Sequence, residues 1–188
     1  MDTIYKRENY LQKIRGFYHN TEIIKVITGI RRAGKSYILM SIIDELKELG
    51  IKEENIISIS LDSRKYRNVK TKDELDNIIS SKINTKENYY LFIDEIQNVS
   101  GFEEVIDAYR TDGNVYIFIT GSNSYLLSGN LITKLSGRKI EIEVLPLTFF
   151  EYVDMKKFFN KDINSNIYLE FESYIRNGGF PGTIVLDN

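Results

Sequence analysis

The sequence contains no cysteine and a single histidine, and both shortages restrict its chemistry. Without cysteine there is no disulfide framework, no cysteine-ligated zinc and no thiol nucleophile. His19 alone cannot build a histidine-ligated metal cluster. Disulfide scaffolds, zinc centres and cysteine enzymes are therefore excluded.

Long apolar runs are also absent. No run approaches the roughly 18 residues that a transmembrane helix needs. The segment from Met1 to Tyr10 carries charges where a signal peptide requires its apolar core. These features predict a cytoplasmic protein with no membrane partner.

Neither sign of charge dominates, because 25 lysines and arginines stand against 27 acidic residues, for a net charge of −2. This balance argues against a nucleic-acid-binding surface over the whole molecule but leaves local basic patches open. With 188 residues, 42% of them hydrophobic, the chain can bury about 70% of its unfolded surface. We expect one folded domain, or one domain with a short appendage.

A phosphate-binding loop is the strongest local pattern. Gly29 to Ser36 fits the spacing of Gly, four free residues and Gly-Lys-Ser, between a β-branched segment and a helix-periodic one. Gly29 and Gly34 would let backbone N–H groups approach phosphate oxygens, and the following helix N-terminus adds its positive dipole end. Lys35 would add a charge near the β- and γ-phosphates, and Ser36 a hydroxyl for Mg²⁺.

The rest of the chain alternates strands with helices. Apolar runs at residues 23–28, 55–61, 89–93 and 115–120 predict buried strands, and the alternation of residues 139–144 predicts a half-exposed edge strand. Capping boxes are predicted at Thr71 with Glu74 and at Ser100 with Glu103. Right-handed crossovers between such units give an α/β fold, a parallel sheet covered on both faces.

The first helix is predicted within residues 4–18. Leu11 and Ile14 fall on its apolar face, whereas Arg7 is assigned mostly to the opposite, polar side. This segment is interpreted as a short docking helix.

Polar residues follow three of the predicted strands, where ligands bind in parallel sheets. Asp94 would lie near Ser36 and hold Mg²⁺ through its water shell, and Glu95 would orient or deprotonate the water that attacks the γ-phosphate. Ser122 and Asn123 form the third polar strand end, where ordinary turn chemistry is the alternative.

One basic cluster lies outside the phosphate loop, between residues 62 and 72. Its cations surround Tyr66, and such a combination suits contacts with the phosphate backbone of single-stranded nucleic acid, although a solvated loop is the commoner explanation of a charge run. The residues that would contact nucleic acid are Arg64, Lys65, Arg67 and Lys70.

Five segments in order resemble the motifs of one prokaryotic family of AAA+ ATPases, in which a P-loop domain precedes a C-terminal domain of unknown function. They read GIRRAGKS, YYLFIDEIQN, ITGSNS, LSGRKIEIEVLPLTFFEY and NGGFPGT, and the resemblance spans essentially the whole chain. It implies a three-layer α/β/α P-loop NTPase fold with the strand before Ser122 between the P-loop strand and the Asp94 strand. The strand at residues 139–144 becomes a sheet edge.

The resemblance also implies site residues and the ligands ATP and Mg²⁺. Catalytic roles fall to Lys35, Asp94, Glu95 and Arg138, and metal binding to Ser36 and Asp94. Nucleotide contacts would come from Gly29, Ile30, Arg31, Arg32, Ala33, Gly34, Lys35, Ser36, Tyr37, Ser122 and Asn123. Arg138 would reach a neighbouring subunit's γ-phosphate if a homo-oligomer forms, and the alternative is a solvated arginine.

The expected organisation is an N-terminal docking helix at 1–22, an ATPase core at 23–145 and a helical extension at 146–188. Family members usually continue beyond this point, so we expect a fragment that lacks a C-terminal domain. Three functions compete: an ATPase that drives a partner or missing domain, a nucleotide-gated binding module with little hydrolysis, and a small-molecule kinase. The kinase is disfavoured because Glu95 suits attack by water, which a kinase must exclude.

Overall fold

The computed structural model describes residues 4–84, 87–122 and 137–185. Over these ranges five strands form one sheet: β1 (Ile24–Gly29), β2 (Ile56–Ser60), β3 (Tyr89–Asp94), β4 (Val115–Gly121) and β5 (Lys139–Val144). Their order is β2-β3-β4-β1-β5, and every pairing is parallel. The predicted position of β4 between β1 and β3 and the predicted edge at β5 are both confirmed.

Helices cover both faces of the sheet. On one face lie α1 (Glu8–Arg15) and α2 (Lys35–Glu48), and on the other α3 (Lys72–Ser80) and α4 (Phe102–Asp112). Both faces of the central strands are therefore buried, which explains why these strands are continuous apolar runs. The predicted three-layer α/β/α fold is confirmed.

One of the two predicted capping boxes is present. The Thr71 hydroxyl accepts a hydrogen bond from the Glu74 N–H, and the Glu74 carboxylate accepts one from the Thr71 N–H, so α3 begins as predicted. The prediction of a capping box at Ser100 is wrong. The residue that precedes α4 is Gly101, which has a left-handed conformation and makes no side-chain hydrogen bond to the helix.

The C-terminal part forms a small cluster of its own. It comprises α5 (Phe149–Phe158), α6 (Ile167–Asn177) and α7 (Pro181–Val185), with Leu147, Tyr152, Met155 and Ile184 buried together. The sequence did not predict α7.

Among the residues that the structure describes, no helix is long and apolar enough to cross a membrane.

Candidate nucleotide-binding site

The phosphate-loop residues lie between β1 and α2, at the carboxyl edge of the sheet. Gly29 has φ of +145°, and a Cβ built on it would lie 2.3 Å from the Val144 carbonyl oxygen of β5. Gly34 has φ of +101° at the start of α2. Glycine is therefore required at Gly29 by close packing against β5 as well as by conformation, and at Gly34 by conformation.

Four of the predicted catalytic and metal-binding residues lie together beside this loop. The Ser36 hydroxyl donates to Asp94 Oδ2 at 2.8 Å, and Lys35 Nζ lies 3.4 Å from Glu95 Oε1. Lys35 is 4% exposed and also donates to the Ile30 carbonyl oxygen at 3.3 Å. Residues from two segments about 60 positions apart thus share one cluster of hydroxyl, ammonium and carboxylate groups.

Glu95 leaves the line of its strand. Its φ of 59° and ψ of 49° are left-handed, a conformation that costs a non-glycine residue about 1–2 kcal/mol. Its side chain is held at both oxygens, by Lys35 at Oε1 and by the Gln97 amide at Oε2. The turn therefore separates the Glu95 carboxylate from that of Asp94 and directs it toward the phosphate loop.

Two polar residues that the sequence analysis did not select complete the cluster. Thr120 is fully buried in β4, where its hydroxyl donates to Asp94 Oδ1 at 2.5 Å and accepts from the Glu95 N–H at 2.9 Å. Gln97 Oε1 is buried and lacks a hydrogen-bond partner within the described ranges. Only the register of β3 against β4 could have revealed Thr120, and Gln97 had no signal beyond its proximity to Glu95.

The remaining residues of the loop differ in exposure. Ile30 is 47% exposed and Tyr37 58% exposed. Arg31 and Arg32 are also exposed, and Arg32 has a positive φ of 69°. Ala33 is buried.

The third polar strand end is described only in part. Ser122 follows β4 and is half-buried. Asn123 lies outside the described residues.

Arg7 is a further residue whose position differs from the prediction. It is 5% exposed, not outward-facing, and α1 begins only after it, at Glu8. Its guanidinium donates to the Ala33 carbonyl oxygen of the phosphate loop and to both carboxylate oxygens of Glu151 in α5. The sequence suggested an exposed cation because the helix was assumed to include residue 7.

An apolar cleft of about 490 Å³ opens beside Gly34. The N-terminal segment, α2 and the C-terminal helices all contribute to it, and its lining includes Ile4, Tyr37, Ile38, Met155 and Pro181. Its position next to the phosphate loop and its apolar lining are suited to a flat ring attached to a phosphorylated group.

Arg138 does not join this cluster. It immediately precedes β5, and its carbonyl oxygen accepts from the Ile24 N–H at the amino end of β1. The six residues of β5 span about 20 Å, so Arg138 lies at the edge of the sheet opposite the phosphate loop. Its side chain is 51% exposed and lies 3.4 Å from Asp107.

The basic loop follows β2, at the same edge of the sheet as the phosphate loop. Arg64, Lys65, Arg67 and Lys70 are exposed, whereas Tyr66 is 9% exposed and packs in the core between the sheet and α3 and α4. Tyr66 is therefore unavailable for stacking on bases, and the exposed cations are left as the groups that could contact nucleic acid.

The cluster fits a magnesium nucleotide. A serine hydroxyl and a carboxylate are the hard oxygen donors that Mg²⁺ prefers, and Ser36 and Asp94 are already within hydrogen-bond distance of each other. Lys35 and the N-terminus of α2 supply positive charge at the same place.

The parallel sheet of this order, with a phosphate loop after β1 and an acidic pair at the end of β3, is the P-loop NTPase fold of the AAA+ class. More specifically, the model of a protein family described as an AAA domain matches residues 21–153, so the chain belongs to that family.

Two curated relatives are similar over most of the chain. An uncharacterized protein of Haemophilus influenzae is 43% identical over an alignment of 186 residues that covers 96% of this chain and 45% of the relative. The uncharacterized protein MJ1544 of Methanocaldococcus jannaschii is 36% identical over an alignment of 177 residues that covers 88% of this chain and 37% of that protein. The chain thus spans less than half the length of either relative.

Solved structures share the fold at low sequence identity. Orc1 of Aeropyrum pernix, in complex with DNA, matches 98% of this chain and 59% of its own with a TM-score of 0.64 at 14% identity. AMPPCP-bound DnaA of Aquifex aeolicus matches 98% of this chain and 61% of its own, with a TM-score of 0.61 at 17% identity. At these identities the likeness establishes the fold alone.

Proposed function

We propose that this chain binds ATP with Mg²⁺ and hydrolyses the γ-phosphate. The observation that carries the proposal is the pair of contacts between Ser36 and Asp94 and between Lys35 and Glu95, which joins the phosphate loop to the acidic strand end. Membership of the AAA domain family supports it.

Each residue of the cluster has a distinct task. The loop from Gly29 to Ser36 holds the phosphates through backbone N–H groups, and Lys35 turns from Glu95 to the β- and γ-phosphates because they carry more negative charge. A Mg²⁺ ion held by Ser36 and Asp94 would neutralise charge on these phosphates. Glu95, freed at Oε1, accepts a proton from the attacking water.

The surroundings support the same assignment. Gln97 holds the second oxygen of Glu95, and its own buried Oε1 can accept a hydrogen bond from a water at this position. Arg31 and Arg32 belong to the phosphate loop, and Ser122 follows Gly121, which pairs with Thr28 just before that loop, so all three could add contacts to the phosphates. The apolar cleft beside Gly34 would take the adenine ring.

The decisive experiment measures nucleotide binding and phosphate release by wild type, Lys35→Ala and Glu95→Gln. Lys35→Ala should lose ATP affinity, and Glu95→Gln should retain ATP while hydrolysis falls at least 100-fold, because only the base is removed. Lys47→Ala and Glu53→Gln change a surface ion pair between α2 and the turn before β2, and both should behave as wild type. Turnover unaffected by both site substitutions would sink the assignment.

A second candidate function is contact with nucleic acid through the basic loop, as in a nucleotide-gated binding module. It is favoured by the exposure of Arg64, Lys65, Arg67 and Lys70 at the edge of the sheet that carries the phosphate loop. Because Tyr66 is buried, such contacts would go to the phosphate backbone and not to stacked bases.

Single-stranded DNA binding at several salt concentrations tests this candidate. Neutralising Arg64, Lys65 and Arg67 should weaken binding and reduce the slope of log affinity against log salt by about 0.7 per lost phosphate contact. A matched variant that neutralises Lys13, Lys52 and Lys82, three exposed lysines elsewhere, should keep the wild-type slope. Equal slopes for both triple variants would reject the basic loop as the contact surface.

The hydrolysis would serve a larger assembly. The curated relatives are more than twice the length of the matched segment, so the N-terminal helix, the core and the helical extension are proposed to drive a further domain or partner. Arg138, at the far edge of the sheet from its own phosphate loop, is proposed to act on the nucleotide of a second copy.

A further inference from the structure

The side chain of Thr120 connects the two acidic residues of the proposed site. Ile93 in β3 pairs with Ile119 in β4, and the next residue of each strand is Asp94 or Thr120. The parallel register therefore sets the threonine hydroxyl beside the aspartate, on a central strand with no exposure to solvent.

The hydroxyl uses both of its hydrogen-bonding capacities. Its single proton goes to Asp94 Oδ1 at 2.5 Å, and a lone pair accepts the Glu95 N–H at 2.9 Å. Asp94 is consequently held at both oxygens, by Thr120 at Oδ1 and by Ser36 at Oδ2. Its carboxylate cannot rotate without breaking one of these two hydrogen bonds.

The second hydrogen bond acts on the backbone of Glu95. This residue has the left-handed conformation that disfavours any side chain with a Cβ, and the bond from its N–H to Thr120 offsets part of that cost. Loss of the bond would favour an extended backbone, which would turn the glutamate side chain away from Lys35.

We propose that Thr120 is a positioning residue that sets the Asp94 carboxylate for Mg²⁺ and the Glu95 carboxylate for water with one hydroxyl group. This inference rests on the proposed function. The alignment of the metal-holding and proton-accepting carboxylates depends on the hydroxyl group of Thr120 and not on the shape of its side chain. Groups that hold metal ligands in place typically contribute 10- to 100-fold in metal affinity or activity.

The test compares Thr120→Val, which keeps the shape and removes the hydroxyl, with Thr120→Ser, which keeps the hydroxyl. We expect Thr120→Val to lower kcat by about 10- to 100-fold and to raise the Mg²⁺ concentration needed for half-maximal binding of a fluorescent ATP analogue. Thr120→Ser should stay within about threefold of wild type in both measurements. Thr28→Val, an equally buried threonine of β1 whose hydroxyl donates to Glu141 at 3.3 Å, should also remain near wild type.

Two results would overturn the inference: a Thr120→Val protein with wild-type turnover and Mg²⁺ dependence, or Val and Ser variants that are equally impaired. If melting curves show that Thr120→Val is unfolded, Thr120→Ala against Thr120→Ser gives the same contrast, since both lack the methyl group and only serine has the hydroxyl. The analogue titration reads the Mg²⁺ role without hydrolysis. Failure of the proposed function itself would appear in wild type, as absent nucleotide binding.

Discussion

Lys25 is an ionisable residue whose side chain is buried in the protein interior. It is fully buried on β1, where its Nζ donates to the carbonyl oxygens of Asn20 and Ile23 at 2.7 and 3.0 Å and lies 4.7 Å from the centre of the Phe118 ring. Within the described ranges no carboxylate forms a salt bridge with it. Burial therefore lowers the pKa of Lys25 to about 7.

This shift gives the first prediction, a pH dependence of stability. Between about pH 7 and pH 10.5 the unfolded chain binds a proton at Lys25 that the folded chain has lost, so the free energy of unfolding rises with pH in that window and is independent of this group below it. Lys25→Met should flatten the rise, measured by urea unfolding from pH 7 to 9.5. Lys52→Met, at an exposed lysine, should keep the wild-type slope; an unchanged slope in Lys25→Met would contradict the prediction.

At the scale of elements, Arg7 ties together three parts of the chain. Besides the phosphate loop and α5, its guanidinium donates to the Leu145 carbonyl oxygen at 2.8 Å, just after β5. Burial raises the pKa of Glu151, but hydrogen bonds from Arg7 and from the Thr148 N–H outweigh it, and the net pKa is lowered. The Arg7–Glu151 pair is therefore ionised and almost completely shielded from solvent.

The second prediction is that Arg7→Met destabilises the protein by about 3–5 kcal/mol, because it leaves Glu151 charged and buried without its partner. The neighbouring residue provides a control: Lys6 pairs with the exposed Glu48, so Lys6→Met should cost about 0.5 kcal/mol or less. Both values come from urea unfolding curves at neutral pH. Equal losses in the two variants would show that the buried pair has no special weight.

These residues show which features the sequence could predict. The central strands β1, β3 and β4 were predictable because burial on both faces makes each of them a continuous apolar run, and the phosphate loop because its glycines have a fixed spacing. The roles of Thr120 and Glu95 were not predictable from the sequence. The position of Thr120 depends on strand register, and Glu95 has a left-handed backbone conformation at a position where the sequence has no glycine to indicate it.

Arg7 and Tyr66 lie in surroundings that their sequence neighbours did not indicate, for a related reason. The prediction for Arg7 extrapolated helical periodicity one residue beyond the start of α1, and its partner Glu151 lies 144 positions away. Tyr66 was counted with the basic cluster because charged residues flank it in the sequence, but its side chain packs in the core formed by α3, α4 and the sheet. Local composition does not report contacts made across the fold.

For the whole molecule, the third prediction concerns Arg138 and assembly. This arginine lies at the end of the sheet opposite its own phosphate loop. Arg138→Ala should therefore lower hydrolysis at least tenfold only if Arg138 acts on the nucleotide bound by a neighbouring copy of the chain. Mixing Arg138→Ala with Glu95→Gln should restore part of the activity, because each inactive copy supplies the group the other lacks.

The controls for this mixing experiment follow from the same geometry. Wild-type turnover per site should rise with protein concentration, whereas a mixture of Glu95→Gln with Lys35→Ala supplies arginines but no complete site and should stay inactive. Turnover that is independent of concentration, together with wild-type activity of Arg138→Ala, would leave Arg138 as a solvated surface residue.

The pairing of β1 also has a consequence for the order in which the protein forms. Val26 precedes β2 and β3 in the chain, but its sheet partners are Ile119 and Glu141, so β1 has no neighbour in the sheet until β4 has left the ribosome. The strands β2 and β3, adjacent both in sequence and in space, can pair much earlier. The phosphate loop is therefore held in place only after β4 and β5 have been made, and a nascent chain cannot engage nucleotide through this loop before that point.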